Sequence, residues 1–258
     1  MPFFDIRVAV LLLMAAPWGF AETGAWHGDL ASAEALTGAY EVTPSSTPEV
    51  LSVTTSDVAV DALAAFNAAA WDPSAIGAVD HGVFALALDS AERAVVRGDA
   101  TPSTLTVIDF SVPSTERRMF VYDLRSRALL FVEHVSHGRN SGANIPTMFS
   151  NQPETFKSSI GLYRTAEGYF GKHGYSLRLD GLEKGYNDRA RERAIVIHGA
   201  DYVNGATAKA QGRLGRSLGC PAVRPQIATK LIDTIKEGGL VFAYYPDQQW
   251  LASSTYLN

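Results

Sequence analysis

Between residues 105 and 135 the apolar side chains come in short, dense blocks separated by turn formers: 105–110, 119–124 and 129–135, rich in Val, Ile, Leu and Phe. Blocks of that length and composition predict strands, and Arg125-Ser126-Arg127 between the second and third predicts a hairpin. Further strand-like pieces lie at 160–164, 176–179, 194–198 and 240–245. Upstream the pattern changes to a helical one. Residues 57–71 are Ala-rich, with Val58, Leu63, Phe66 and Ala70 near helical spacing, and residues 84–96 repeat that character with charges on one side. Two short helices are predicted there, with Asp80-His81-Gly82 as a turn between them and His81 as a surface or capping residue. A third helix is predicted over residues 222–236. The resulting fold class is mainly β with helices, α+β, with a domain over residues 101–258 preceded by a helical region at 57–100.

The first 21 residues carry the pattern of a secretory signal. Arg7 precedes an apolar stretch at 8–16, and Gly19-Phe20-Ala21 supplies a small-x-small site before Glu22. Cleavage after Ala21 is expected, and the apolar stretch falls short of the roughly 20 residues that a membrane span needs. No stable membrane anchor is expected. Residues 22–56 are dominated by Ala, Gly, Glu, Ser, Thr and Pro, centred on Thr43-Pro44-Ser45-Ser46-Thr47-Pro48, and read as a flexible leader or linker. The expected location is secreted, in the periplasm.

Composition sharpens this reading chiefly by what it excludes. With 47% hydrophobic and 19% charged residues the 258-residue chain is a globular protein, not a disordered or fibrous one. The net charge of −5, with no Lys/Arg run longer than two, argues against a nucleic-acid partner. The single cysteine, Cys220, is more telling. An exported chain with one cysteine carries a free thiol into an oxidising compartment, so the thiol is either a buried hydrophobe or functional.

Two segments favour function. The apolar run Ala194-Ile195-Val196-Ile197 ends in His198-Gly199, which would deliver an imidazole at a strand end where glycine lets a substrate approach. Cys220 lies twenty-two residues after His198, within the glycine-punctuated run from Gly212 to Pro221. A cysteine just ahead of a helix is expected to feel the positive end of the helix dipole, and Arg216 would add positive charge, both favouring thiolate. Gly215 and Gly219 could free backbone amides to face an oxyanion. A thiol nucleophile needs a base and a group that orients the base. His198 is the candidate base, and its orienting partner is either Asp201 or a backbone carbonyl.

Six segments together resemble the YkuD-type L,D-transpeptidase catalytic domain, in particular the divergent branch described as a murein L,D-transpeptidase catalytic domain family. They are Phe149-Ser150-Asn151, Ser158-Ser159-Ile160-Gly161, Gly171-Lys172-His173-Gly174, Gly181-Leu182-Glu183, Ile197-His198-Gly199-Ala200 and Gly215-Arg216-Ser217-Leu218-Gly219-Cys220-Pro221-Ala222. The resemblance spans roughly residues 105–246. It implies a β-sandwich-like fold and a cysteine enzyme acting on peptidoglycan stem peptides without metal or other cofactor, of a kind acylated by carbapenems. In such enzymes the thiolate attacks the third residue of a donor tetrapeptide, releases D-Ala and passes the acyl group to an amine. Carried onto this chain, Cys220 is the nucleophile and His198 the general base, with Arg216, Ser217 and Gly219 in the reactive loop.

The chain departs from the commoner family pattern in having Leu218 where a histidine precedes Gly-Cys, and Ala222 where an arginine or asparagine follows. Arg216 or Arg224 is then a candidate for a cationic contact to a substrate carboxylate, and His173, Lys172 and Tyr175 are further candidates for substrate contact. The acceptor is left open between a stem peptide, a protein amine, a free D-amino acid and water, the last giving carboxypeptidase activity. Two other classes compete: a zinc amidase gathering His134, His137, His173, His198 and Cys220, and a noncatalytic wall-binding module. His134 and His137 are a poor zinc pair on a strand, because residues three apart point to opposite faces.

Overall fold

The computed structural model of the chain describes residues 63–258. The expected signal segment, the leader and the first part of the first predicted helix lie outside the described residues. Beyond residue 64 the first of the two predicted helices does not continue. Asn67 adopts an extended conformation and turns its side chain onto the Ala69 N–H, so only a 3₁₀ turn, Ala68–Ala70, forms. Such self-capping by Asn competes with helix continuation. Trp71 then leaves in an extended conformation, and its indole N–H donates to the Ala65 carbonyl at 2.8 Å.

Helix α1 (Pro73–Ile76) is a single turn capped by Asp72, with Pro at its start. Helix α2 (His81–Val96) begins one turn earlier than the apolar pattern predicts, because Asp80 is its N-cap and accepts from the Val83 N–H at 3.0 Å. It buries Val83, Phe84, Ala87, Leu88, Ala91 and Ala94, and these join the same core as the strands. Trp71, Phe84 and Tyr122 form an aromatic cluster with centroids 4.9–5.5 Å apart, and the Tyr122 hydroxyl donates to the Ile76 carbonyl. The helical region is thus fastened to the sheet by its largest side chains.

The sheet has eight strands: β1 (Thr104–Asp109), β2 (Met119–Asp123), β3 (Ala128–Glu133), β4 (Gly161–Gly171), β5 (Gly174–Gly181), β6 (Val196–Gly199), β7 (Ala222–Val223) and β8 (Leu240–Tyr244). They hydrogen-bond in the order β3-β2-β1-β8-β4-β5-β6-β7. The mainly β architecture with accessory helices expected from the sequence is the one observed. β1, parallel to β8 and antiparallel to β2, is buried along its whole length, as a central strand must be. The remaining helices are α3 (Gly205–Gln211), α4 (Pro225–Ile235) and α5 (Gln248–Ser253).

Two differences from the predicted elements shape the site. β4 and β5 run far past their apolar segments into a two-residue turn at Lys172-His173, with a register shift between Thr165 and Gly168. The other concerns α4, which begins at Pro225 and not at 222. Arg224 precedes proline and is extended (φ −64°, ψ 141°), as the steric rule for that position requires. Ala222 and Val223 instead form β7, parallel to β6, with Ala222 opposite His198.

Candidate active site

β6 carries His198 at its end, buried between β5 and β7, with Ser176 opposite it on one side and Ala222 on the other. Its Nδ1 lies 2.9 Å from the Gly199 carbonyl oxygen. A carbonyl can only accept, so Nδ1 carries the hydrogen and Nε2 presents its lone pair. The orienting group is therefore a backbone carbonyl; Asp201 is exposed. Burial holds the His198 imidazolium below the ordinary range, against the Gly199 carbonyl and with help from His173. That keeps the ring neutral and able to take a proton.

His173, at the exposed tip of the β4–β5 hairpin, stacks on His198 with centroids 4.3 Å apart and planes inclined by 23°. The other candidates on this hairpin do different things. Lys172 is exposed at the tip. The Tyr175 hydroxyl donates to Asp233 of α4 at 2.8 Å, and its ring lies tilted against that of Phe170, centroids 5.1 Å apart.

Cys220 lies in the loop two residues ahead of Ala222, the β7 residue that stands opposite His198. The loop before it is held by a chain of hydrogen bonds. Gly138 bridges Ser217 in parallel. Ser158 Oγ accepts from the Gly138 N–H at 3.0 Å and donates to the Gly219 carbonyl at 2.9 Å. Ser217 Oγ accepts from the Gly219 N–H at 3.0 Å and donates to the Cys220 carbonyl at 2.6 Å. The Gly219 amide is thereby spent within the loop, which corrects the expectation that it faces an oxyanion; the Cys220 N–H is the loop amide beside the sulfur. Gly219 has φ +129°, and a Cβ there would sit 2.9 Å from the Lys157 carbonyl oxygen, so only glycine fits.

The half-buried Cys220 thiol donates to the Ala194 carbonyl at 3.6 Å. Burial pushes the thiol up, opposed by the Val196 N–H, the Arg193 guanidinium and its own N–H. This too departs from expectation. β7 and Arg224 intervene in the chain between Cys220 and α4, so the cysteine does not stand immediately ahead of the helix, and the net shift of the thiol is upward. Arg216 is also turned away, its Nη1 donating to the Arg139 and Gly142 carbonyls at 2.8 Å each. Arg224 forms a two-pronged ion pair with Glu133, Nε–Oε2 2.8 Å and Nη2–Oε1 2.7 Å, which engages that edge of the guanidinium within the fold.

Two neighbours of Cys220 escape sequence reasoning. Arg193 hides among the alternating charges of 189–193, and Tyr202 follows the strand without any motif. Tyr202 packs on Gly215, where a Cβ would lie 2.4 Å from its own. Burial raises its phenol, and Cys220 adds to that. Two histidines of the metal alternative are engaged elsewhere: His134 Nε2 lies 3.0 Å from the Thr115 carbonyl, and His137 Nδ1 lies 2.7 Å from Arg118 Nη2. Among the described residues, no group of three or more His, Cys, Asp and Glu side chains could hold a metal ion.

A profile of the L,D-transpeptidase catalytic domain matches residues 76–244, which takes in α2, every strand and the reactive loop. Solved structures similar to this chain include an L,D-transpeptidase from Mycobacterium smegmatis (14% identity, 55% of this chain and 59% of that one, TM-score 0.35). Others are L,D-transpeptidase 3 from Mycobacterium tuberculosis with a faropenem-derived adduct (13%, 56% and 61%, TM-score 0.36) and an L,D-transpeptidase from Xylanimonas cellulosilytica (16%, 58% and 67%, TM-score 0.32). The alignment spans about three fifths of the first two chains. A search of curated proteins finds no significant match.

Proposed function

The chain belongs to the L,D-transpeptidase catalytic domain family, and from that premise we propose that it is an exported, periplasmic, cysteine-dependent peptidoglycan transpeptidase with Cys220 as nucleophile and His198 as base. The observation that carries the reading is the pairing of β6 with β7. It sets Ala222, two residues after the one thiol of the chain, opposite His198, whose neutral imidazole has its Nδ1–H held by the Gly199 carbonyl.

In the proposed reaction the Cys220 proton passes to His198 Nε2 as sulfur bonds to the carbonyl carbon of the third residue of a donor tetrapeptide. The C–N bond to D-Ala then breaks, and the departing nitrogen takes the proton from His198. An amine of a neighbouring stem attacks the thioester and releases Cys220, giving its proton back through the same imidazole. The Cys220 N–H, beside the sulfur, is the donor proposed for the developing oxyanion.

Incubating the mature protein with disaccharide-tetrapeptide and resolving the products by mass spectrometry tests this directly. Cross-linked dimer lacking one D-Ala, formed by wild type and not by Cys220→Ala, is the expected result. Monomeric tripeptide would make water the acceptor and the enzyme a carboxypeptidase. No product, or equal product from the alanine variant, would overturn the reading.

A further inference from the structure

Arg193 lies in the turn that leads into β6, and the Cys220–His198 pair gives it no task. Its guanidinium is half-buried and donates only to neutral oxygens: Nη1 to the Ser150 carbonyl at 2.6 Å and to Ser159 Oγ, and Nη2 to the Lys157 carbonyl at 2.6 Å. Among the described residues no carboxylate pairs with it. Elsewhere on the same stretch arginines take acids, Arg189 with Glu192 and Arg191 with Asp180 and Glu167. A sheltered cation held by three hydrogen bonds to neutral oxygens, with no counter-charge, is costly unless an anion forms nearby.

Geometry names that anion. Arg193 Nη2 lies 3.5 Å from where a Cβ of Gly219 would sit, against the backbone that immediately precedes the nucleophile. The next residue, Ala194, is held at φ +52°, a strained conformation for alanine, and its carbonyl receives the Cys220 thiol. The two consecutive residues therefore treat the sulfur in complementary ways: Ala194 holds the proton of the thiol, and Arg193 favours the charge left once the proton goes.

We propose that Arg193 is a positioning residue that supplies the counter-charge for the Cys220 thiolate and, through Ser150, Lys157 and Ser159, anchors the 150–159 segment beneath the reactive loop. This deepens the reading of Cys220 as the nucleophile and rests on it. The mutual effect of the two groups agrees in sign, since the guanidinium opposes the rise of the thiol, and the sulfur opposes the fall that burial imposes on the guanidinium.

Because Cys220 is the only cysteine, the rate of iodoacetamide labelling against pH reports its ionisation without background. Arg193→Gln keeps hydrogen-bond donors and removes the charge, while Arg193→Lys keeps the charge. The glutamine variant should raise the midpoint of the labelling profile and slow labelling at neutral pH roughly tenfold, with lysine restoring most of the loss. Coincident profiles for wild type and a folded Arg193→Gln would overturn the proposal. Should the glutamine variant fail to fold, Arg193→Lys decides alone: a midpoint near wild type upholds the counter-charge role, and one displaced by a full pH unit rejects it. Labelling needs no wall substrate, so a shifted profile without turnover on tetrapeptide would sink the proposed reaction and leave the Arg193–Cys220 coupling intact.

Discussion

Acidification from neutral pH should cost this protein stability through one buried histidine, and the size of the loss is set by its surroundings. His137 is fully buried, with Nδ1 2.7 Å from Nη2 of the equally buried Arg118. A guanidinium only donates, so Nδ1 must accept and the ring is neutral in the fold. Burial first, then the charge of Arg118, and to a smaller degree that of Arg216, outweigh the Gly142 and Ala143 carbonyls and pull its pKa from 6.5 down to about 4. The folded value lies below the unfolded one, so between these limits the unfolded chain binds more protons. The contribution to stability is complete above about 6.5 and is lost as the pH falls through about 4. Linkage gives a loss of about 2 kcal/mol between pH 7 and pH 5, and about 3 kcal/mol by pH 4.

Asp109 and Glu183, buried carboxyls raised chiefly by their burial, act with the opposite sign at the acid end of the same range. The contrast to measure is therefore with His137→Gln, whose amide oxygen can still accept from Arg118 and does not titrate. Urea denaturation at closely spaced pH values, followed by the fluorescence of buried Trp71 and Trp250, gives the unfolding free energy of each protein. The stability of wild type relative to the variant should fall by about 2 kcal/mol from pH 7 to pH 5. A difference that stays constant over that interval refutes the neutral His137 paired with Arg118.

Arg224→Ala should lower stability by about 1–2 kcal/mol, because it strands the buried Glu133 carboxylate while the exposed flank of the guanidinium is screened; thermal unfolding reads the loss, and kcat/KM should stay within about twofold of wild type. Gly219→Ala should destabilise by roughly 1–3 kcal/mol and also suppress thiol labelling, since φ +129° and the Lys157 carbonyl leave no place for a methyl group. Unchanged melting would mean the loop is looser than its hydrogen bonds indicate. His198→Gln should cut turnover on tetrapeptide roughly 10²–10⁴-fold with little change in melting temperature, and turnover near wild type would remove His198 from its role as base.

The strands that the sequence shows most plainly are those buried on both faces. β1, β2 and β8 are runs of Val, Ile, Leu, Phe and Tyr that need no outside information. β4 and β5 extend beyond their apolar segments because the outer half of the hairpin is held by contacts that hydropathy does not register, such as Arg178 over the Tyr169 ring at 4.2 Å and its ion pair with Glu167. The start of α4 is legible in Pro225 and the restriction it places on Arg224; apolar periodicity obscures it. Cys220 and His198 are legible because residue type, count and a strand end coincide. Arg193, Arg118 and Glu183 are not, because nothing in a run of residues distinguishes the one charge that the fold buries from its exposed neighbours.

Burial acts on the two reactive groups in opposite chemical senses: it raises the Cys220 thiol and lowers the His198 imidazolium, and each effect favours a neutral form. The resting pair is then thiol and imidazole, not a preformed thiolate and imidazolium. In that state the thiol proton rests on the Ala194 carbonyl and Nε2 of His198 is unprotonated, its other nitrogen held by Gly199. In the proposed reaction a nucleophile is generated only when the proton moves to His198, at which moment the Arg193 charge gains its proposed partner. Free-enzyme labelling by iodoacetamide should therefore climb through pH 8 and beyond, past the ordinary thiol value near 8.5, with no plateau near neutrality. A plateau already reached below pH 7 would mean that the ion pair exists before substrate arrives, and would refute both the neutral resting pair and the sign of the burial effect on Cys220.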